Sequence, residues 1–197
     1  MRWLLLLLTL PGAHDLGSID LLNDCVQQRF QRPAPDFGMS RILIPSSMGR
    51  HFAPRPLSTR DFVPENDRER AVIAKLESES VQVGFYLFGR PILDAPAAAL
   101  NPRALKGPGV MTAGTPRVVA GGLVPDGLPD LATIYPLAQR TMQSFAEGGS
   151  GFETIAGSWR IAARPVLAEQ ERCMSCHKDS AMRQAVGGVL YAYRRKQ

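Results

Sequence analysis

Five consecutive residues near the end of the sequence constrain this chain more than any other feature. They read Cys173-Met174-Ser175-Cys176-His177, which fits C-x-x-C-H, the attachment pattern for c-type haem. Two cysteines three positions apart lie on one side of a helical turn, from which each thiol can form a thioether with a haem vinyl group. The histidine that follows is directed under the ring, where its imidazole binds the iron as the proximal ligand. The pattern predicts one covalently attached haem c, held by Cys173, Cys176 and His177.

Two other uses of a Cys-x-x-Cys pair compete with this prediction. A redox disulfide would need the preceding strand of a thioredoxin-like βαβ unit, which the chain lacks. A zinc site needs further ligands, and the candidates, Cys25 and His51, lie far away and do not form a second paired motif. A zinc-stabilised interaction domain is therefore the non-haem alternative.

The first 13 residues have the charged, apolar and then small-residue order of a secretory signal. Met1-Arg2-Trp3 is positively charged, Leu4 to Leu10 is almost pure leucine, and Pro11-Gly12-Ala13 ends the segment. The apolar run is too short to span a bilayer, so no membrane span is expected after cleavage near Ala13. Because haem is attached covalently outside the bacterial cytoplasm, the signal and the motif together predict a periplasmic protein.

The remaining residues, 18–197, have the composition of one loop-rich folded domain. Hydrophobic residues make up 45% of the chain, which argues against disorder, while 18 glycines and 16 prolines predict many loops. The net charge of +5 is mildly basic, and the basic tail 194–196 lacks the interleaved aromatic residues of a nucleic-acid surface. Since no general base, nucleophile constellation or phosphate loop stands out, the sequence predicts neither nucleic-acid binding nor enzyme activity.

Hydrophobic periodicity predicts three helices and an antiparallel sheet, an α+β fold. The predicted helices are Ser18 to Phe30 with Ser18 as its cap, Glu65 to Ser80, and Leu131 to Glu147, which Pro136 either bends or begins. The predicted strands are Arg41 to Ile44, Val81 to Phe88, a hairpin of 152–156 and 158–166 about Gly157, and a last strand after Gly187-Gly188. The stretches 32–64 and 90–117 are expected to be mainly loop.

The position of the motif excludes two haem folds. Only 20 residues follow His177, whereas the ordinary small cytochrome c has its motif near the start and a methionine ligand later. The four-helix cytochromes c′ do have a C-terminal motif. The predicted hairpin before the motif and the strand after it argue against that fold.

The chain resembles the single-haem, periplasmic PAS-like domains that occur alone or at the front of membrane sensor kinases. They carry a strand ending in an Arg-Pro-Val-like segment, a short spacer, Cys-x-x-Cys-His and a closing strand. The corresponding segments here are Trp159 to Val166, Leu167 to Arg172, Cys173 to His177 and Gly188 to Tyr193. A weaker similarity is Pro64-Glu65-Asn66 followed by 69–72, which is similar to the family's proline/asparagine turn. The resemblance implies a PAS-like antiparallel sheet after N-terminal helices.

The distal iron ligand decides between the functions that the resemblance implies. In this family it can be a cysteine on the N-terminal helix, and Cys25 is the cysteine in that position. His51, a methionine (Met39, Met48, Met111 or Met142) and an open site are alternatives, and Cys25 can equally be a core residue. Histidine and thiolate ligation gives a low-potential iron, suited to one-electron transfer with a redox partner or to redox sensing with a partner chain. An open site favours a gas-binding sensor module.

Two further groups of residues are candidates for contacts with the haem. Arg160 and Arg164 have the charge to pair with the propionates, although strand positions such as these are also often exposed. Trp159, Tyr191 and Tyr193 are candidates to line the ring, with core packing as the alternative role.

Overall fold

The structure is a computed structural model that describes residues 13–31, 41–44, 51–54, 62–89, 117–119, 125–174 and 180–196. The helices in these ranges are α1 (Ala13–Phe30), α2 (Asp67–Ser78), α3 (Leu131–Ala146) and α4 (Glu171–Met174). The strands are β1 (Arg41–Ile44), β2 (His51–Pro54), β3 (Val81–Gly89), β4 (Arg117–Val118), β5 (Glu153–Ala156), β6 (Trp159–Leu167) and β7 (Ala185–Arg195). The predicted α+β class is confirmed.

Five strands form one antiparallel sheet in the order β4-β3-β7-β6-β5. The last strand in sequence, β7, lies at its centre, paired with β3 on one side and with β6 on the other. The predicted hairpin is confirmed as β5 and β6, and Gly157 in its turn has a φ of +60°, which glycine adopts without a Cβ clash. The connection from β6 to β7, which includes α4, therefore joins two neighbouring strands.

Both faces of the sheet are covered, because successive side chains of a strand point to opposite faces. On the face that we call the α1 face, α1 and α2 pack against sheet residues that include Phe85, Val189, Tyr191 and Tyr193. On the opposite α3 face, α3 packs against residues that include Tyr86, Trp159, Ile161, Ala163 and Leu190. Alternate residues of β6 and of β7 therefore belong to different cores.

Helix α1 begins five residues earlier than the sequence predicts, so the assignment of Ser18 as its cap is wrong. The helix starts at Ala13, and the Ser18 hydroxyl donates a hydrogen bond to Glu79 Oε2 over 2.6 Å. Since residues 13–17 already belong to the helix, Ser18 is not at its N-terminus, and the backbone N–H groups that follow it are bonded within the helix. The apolar residues at helical spacing, Ile19, Leu22 and Val26, are buried.

The proline-rich stretch between α1 and α2 contains more regular structure than the expected loop. β1 is confirmed, but its antiparallel partner β2 was not predicted, and the pairing places His51 opposite Ile44. Proline at the end of β2 is compatible with a two-stranded ribbon, because an edge position needs no backbone donor there. The assignment of His51 to a loop is therefore wrong.

The other two long helices follow their predictions closely. Asn66 caps α2 by accepting from the backbone N–H of Glu69, and Asp130 caps α3 by accepting from that of Thr133. Because α3 already begins at Leu131, Pro136 lies inside the helix and does not begin it. No helix in the described ranges is long and apolar enough to cross a membrane.

The closing strand is longer than predicted, because Gly187 and Gly188 lie within β7 and do not precede it. A Cβ on Gly188 would overlap the ring of Phe88 and would lie 2.9 Å from Phe145 Cε2. The glycine therefore allows α3 and β3 to approach the centre of the sheet closely. The glycine pair predicts a turn in the sequence, but in the fold Gly188 is needed for close packing within the strand.

Candidate cofactor site on the α1 face

Two cysteines pack against one hydrophobic cluster on the α1 face. Cys25 lies on α1 with 0% of its surface exposed, and Cys173 lies on α4, half-buried against the cluster that contains Cys25. Met174, the next residue of the motif, packs against it too. Cys176 and His177 lie outside the described residues. The fold therefore brings the N-terminal helix and the beginning of the motif to the same face of the sheet.

The C-terminal half of α1 is attached to the end of β6 by two glutamines. Gln27 Nε2 donates to the carbonyl oxygen of Pro165, and Gln31 Nε2 donates to that of Leu167 over 3.2 Å. Within the described part of the chain, the side-chain oxygens of both glutamines are buried and accept no hydrogen bond. Burying an acceptor without a partner costs about 1–3 kcal/mol. The hydrogen bonds that the two Nε2 groups donate to β6 must offset this cost.

Arg164 ties the first half of α1 to the sheet. Its Nε lies 2.8 Å from Asp20 Oδ1, and its Nη2 lies 3.5 Å from Glu153 Oε1. The Arg164 side chain is only 18% exposed, so it is not simply a solvated strand residue. The pairing of Arg160 and Arg164 with haem propionates stays a prediction, and in this structure the guanidinium of Arg164 is engaged by these carboxylates.

A buried ion pair attaches α1 to α2 one helical turn after Cys25. The Arg29 guanidinium contacts both carboxylate oxygens of Glu69, at 3.0 and 2.6 Å, and lies 4.0 Å from the ring centroid of Phe62. The Arg29 and Glu69 side chains are 7% and 2% exposed. Such a pair is sensitive to loss of either member, because the other charge would remain buried without its partner.

The electrostatic surroundings of Cys25 favour a neutral thiol. Burial raises the pKa of the Cys25 thiol, while the nearby Arg68 guanidinium lowers it in part. Tyr191 lies across the same cluster, and its hydroxyl donates to Asn23 Oδ1 over 3.0 Å. Burial holds the pKa of the Tyr191 phenol well above its usual range. Neither group is therefore charged near neutral pH unless a ligand displaces its proton.

The aromatic candidates divide between the two faces. Tyr191 and Tyr193 lie in the α1-face cluster with Cys25. Trp159 lies in the α3-face cluster, where its Nε1 donates to the Gly127 carbonyl over 2.6 Å and Arg194 stacks on its ring at 4.2 Å. Core packing thus accounts for Trp159, on the face opposite the two cysteines.

The rival distal ligands are placed less favourably or are not described. Met142 is 1% exposed in the α3-face cluster, on the side of the sheet opposite Cys25. The side chain of His51 is outside the described set, as are Met39, Met48 and Met111. Among the described residues no group of three or more His, Cys, Asp and Glu side chains could hold a metal ion, and this set does not contain Cys176 or His177.

Several residues that organise this face were not singled out from the sequence. Gln27 and Gln31 are four positions apart, and polar residues at that spacing beside an apolar stripe are a usable signal for a shared contact. The pairing of Arg29 with Glu69, 40 residues away, has no local signature at all.

Comparison with known proteins gave no match to this chain among family models, curated proteins or solved structures.

Proposed function

We propose that the protein is an exported, periplasmic c-type cytochrome with one haem, which transfers single electrons or senses redox state. Cys173 and Cys176 would form the two thioethers, His177 would be the proximal ligand and Cys25 the distal ligand. The observation that carries the proposal is the placement of Cys25 and of the first motif cysteine against one apolar cluster.

The donor set and its surroundings fit a haem c. The α1-face cluster is apolar and aromatic, as a porphyrin ring requires, and Cys25 offers a soft sulfur donor from within it. The second thioether cysteine and the proximal imidazole come from the motif itself. When bound, the group supplies a reversible one-electron iron couple whose potential depends on the axial ligands and on burial.

The order of the elements supports a PAS-like fold as the finer architecture. The main sheet is antiparallel, as the resemblance implies. Helices precede that sheet, and the motif lies between its fourth and fifth strands, as the resemblance implies. A sensor role would use a separate partner chain, and a carrier role would use a redox partner protein.

Because Cys25 is buried as a neutral thiol, it would have to lose its proton in order to bind iron. Because desolvation raises the pKa of its thiol, binding iron as a thiolate means that the thiol proton leaves an apolar cluster. Arg68 and, more weakly, Arg29 lower the pKa of the thiol, whereas the carboxylates of Glu69 and Asp24 add to the effect of burial and raise it, so the charge of a bound iron would have to supply most of what stabilises the thiolate. Filling both axial positions would direct the site towards electron transfer and away from gas binding.

Visible spectra of the protein, produced with a cytochrome c maturation system, test the proposal. We expect a sharp reduced α-band that survives acid–acetone extraction, and a mass that exceeds the bare polypeptide by one haem. The double variant Cys173→Ser/Cys176→Ser is the matched control and should lose both signals. Colourless wild-type protein with the mass of the polypeptide alone would contradict the haem proposal and favour the zinc alternative.

The distal ligand has its own test. Cys25→Ser should retain the attached haem but change its spin state or midpoint potential, whereas Met142→Leu on the α3 face should change neither. Reduced wild-type protein should show no spectral shift with carbon monoxide. A shift in the wild type, together with an unchanged spectrum of Cys25→Ser, would contradict thiolate ligation and favour the gas-binding alternative.

A further inference from the structure

We propose that Gln27 and Gln31 are positioning residues that fix the separation between Cys25 and Cys173; this inference rests on the proposed function. Both glutamines follow Cys25, Gln27 within α1 and Gln31 directly after its last residue, and both bind β6, the strand that precedes Cys173. They act through α1 and β6, and they need no contact with the iron.

The spacing of the donors matches the spacing of the acceptors. Four residues of α-helix advance by about 6 Å, and two residues of a strand advance by about 6.6 Å. Residues four apart on a helix share a face, as do alternate residues on a strand. The backbone N–H of Gln31 still bonds to the Gln27 carbonyl over 3.1 Å, so the helical geometry extends to the second glutamine. The two side chains can therefore reach Pro165 and Leu167 together only in one register of α1 along β6.

The strand offers these carbonyls because its neighbour ends early. β5 pairs with β6 only as far as Ala162, and the next contact on that side is the Ala163 N–H with the Phe152 carbonyl at 2.9 Å. In the described part of the chain no strand pairs with this edge beyond Ala163. The glutamines thus occupy an edge that would otherwise present open backbone acceptors.

The two glutamines each bury an amide oxygen that has no partner among the described residues, so their donated hydrogen bonds are expected to have a function that an apolar side chain could not fulfil. Each amide uses its N–H group and leaves a buried oxygen without a partner in the described residues, which is unfavourable. An apolar side chain of the same length would avoid that penalty and still cover the sheet. What it would lose is the fixed register of α1, and with it the fixed position of Cys25.

The first experiment measures the register without haem. In a Cys173→Ser/Cys176→Ser background, Cys25 is the single cysteine, and its labelling rate with a thiol reagent reports how often α1 opens. Adding Gln27→Met/Gln31→Met should raise that rate about tenfold. Gln28→Met, which changes the exposed neighbour on α1, should not. Ile134→Val lowers the free energy of unfolding by a change on the α3 face, and its labelling rate shows how much of an increase global unfolding alone would cause.

The second experiment measures the effect on the attached haem. In Gln27→Met/Gln31→Met the haem should remain attached, the midpoint potential should rise, and the reduced protein should show a spectral shift with carbon monoxide that the wild type and Gln28→Met do not show. The single variant Gln31→Met replaces the double variant if the latter does not fold. A potential equal to that of Gln28→Met and no shift with carbon monoxide would overturn the inference, even if labelling increased. Colourless protein would instead contradict the proposed function, and the labelling arm would still report whether the glutamines hold α1.

Discussion

Two helices of similar length cover opposite faces of the sheet, and they are attached in different ways. α3, with 16 residues, packs mainly through apolar side chains; its hydrogen bonds from Thr141 and Gln143 stay within the helix or at its cap, and Arg140 lies over the Phe152 ring at 5.7 Å. α1, with 18 residues, reaches α2, β6 and β7 through directional polar contacts. Apolar packing is non-directional, whereas hydrogen bonds and ion pairs specify orientation. The helix that carries Cys25 is therefore oriented by directional contacts in addition to apolar packing, whereas α3 is held mainly by apolar packing.

The largest effect should come from the α3 face. Trp159→Ala removes a fully buried ring, its hydrogen bond to Gly127 and its stacking with Arg194, and should lower the free energy of unfolding by about 3–5 kcal/mol. Urea unfolding measures this loss. The control is Ile155→Ala on the same hairpin, where the side chain is 72% exposed and little change is expected. Similar losses in the two variants would show that the burial of Trp159 and its contacts does not contribute the expected stability.

The attachment of α1 to α2 should come next. Arg29→Met leaves Glu69 buried without its cation and should cost about 3 kcal/mol, as should Glu69→Leu. The double variant should lose less than the sum of the two, since neither uncompensated charge remains. Arg70→Met breaks the exposed pair with Asp67 and should have almost no effect. If the single losses simply add in the double variant, the two residues do not act as a pair.

Alkaline titration should separate the buried tyrosines of the two faces. Burial raises the pKa of Tyr86 to about 12, and its hydroxyl donates to the Pro129 carbonyl. Because the folded pKa exceeds the ordinary value of 10.0, this stabilisation is complete below pH 10 and is lost as the pH rises towards 12. Tyr86→Phe should cost about 1 kcal/mol at neutral pH and should remove one absorbance step near pH 12. An unchanged titration curve would contradict the assignment to Tyr86.

The smallest effect should come from the contact of Ser18 with Glu79. Hydrogen bonds from Lys75 and then from Ser18 lower the pKa of Glu79 from its ordinary value of 4.5. Their stabilisation is therefore present above pH 4.5 and is lost as the pH falls through the lowered pKa. Ser18→Ala should cost about 0.5 kcal/mol near neutral pH and almost nothing in acid, as urea unfolding at both pH values would show. An equal loss in acid would mean that the carboxylate charge plays no part.

The elements that the sequence predicts well are those with a local signature. Asn66 and Asp130 cap helices whose apolar residues recur at helical spacing, and Trp159, Ile161 and Ala163 alternate as a strand facing one core. Each of these signals lies within a few residues of the element that it defines, and the tertiary contacts of the fold agree with the local preference.

The features that the sequence does not reveal depend on distant partners. Ser18 resembles a cap but bonds to Glu79, 61 residues away. Gly188 resembles a turn but makes room for Phe88 and Phe145. For the candidate site, the motif residues and the burial of Cys25 were within reach of sequence reasoning, whereas the glutamine contacts with β6 were not. Which residues share a face across such separations is decided by the strand order, and no local pattern encodes that order.

The central place of β7 has a consequence for how the protein folds. Its pairing with β3 joins Val81 to Arg195, so the β4-β3 and β6-β5 parts of the sheet are united only by contacts between residues far apart in the sequence. A chain with such non-local pairing folds slowly. Until β7 is in place, the sides of β3 and β6 that it will cover present unpaired backbone groups, and during that interval the half-formed sheet is open to pairing with a second chain.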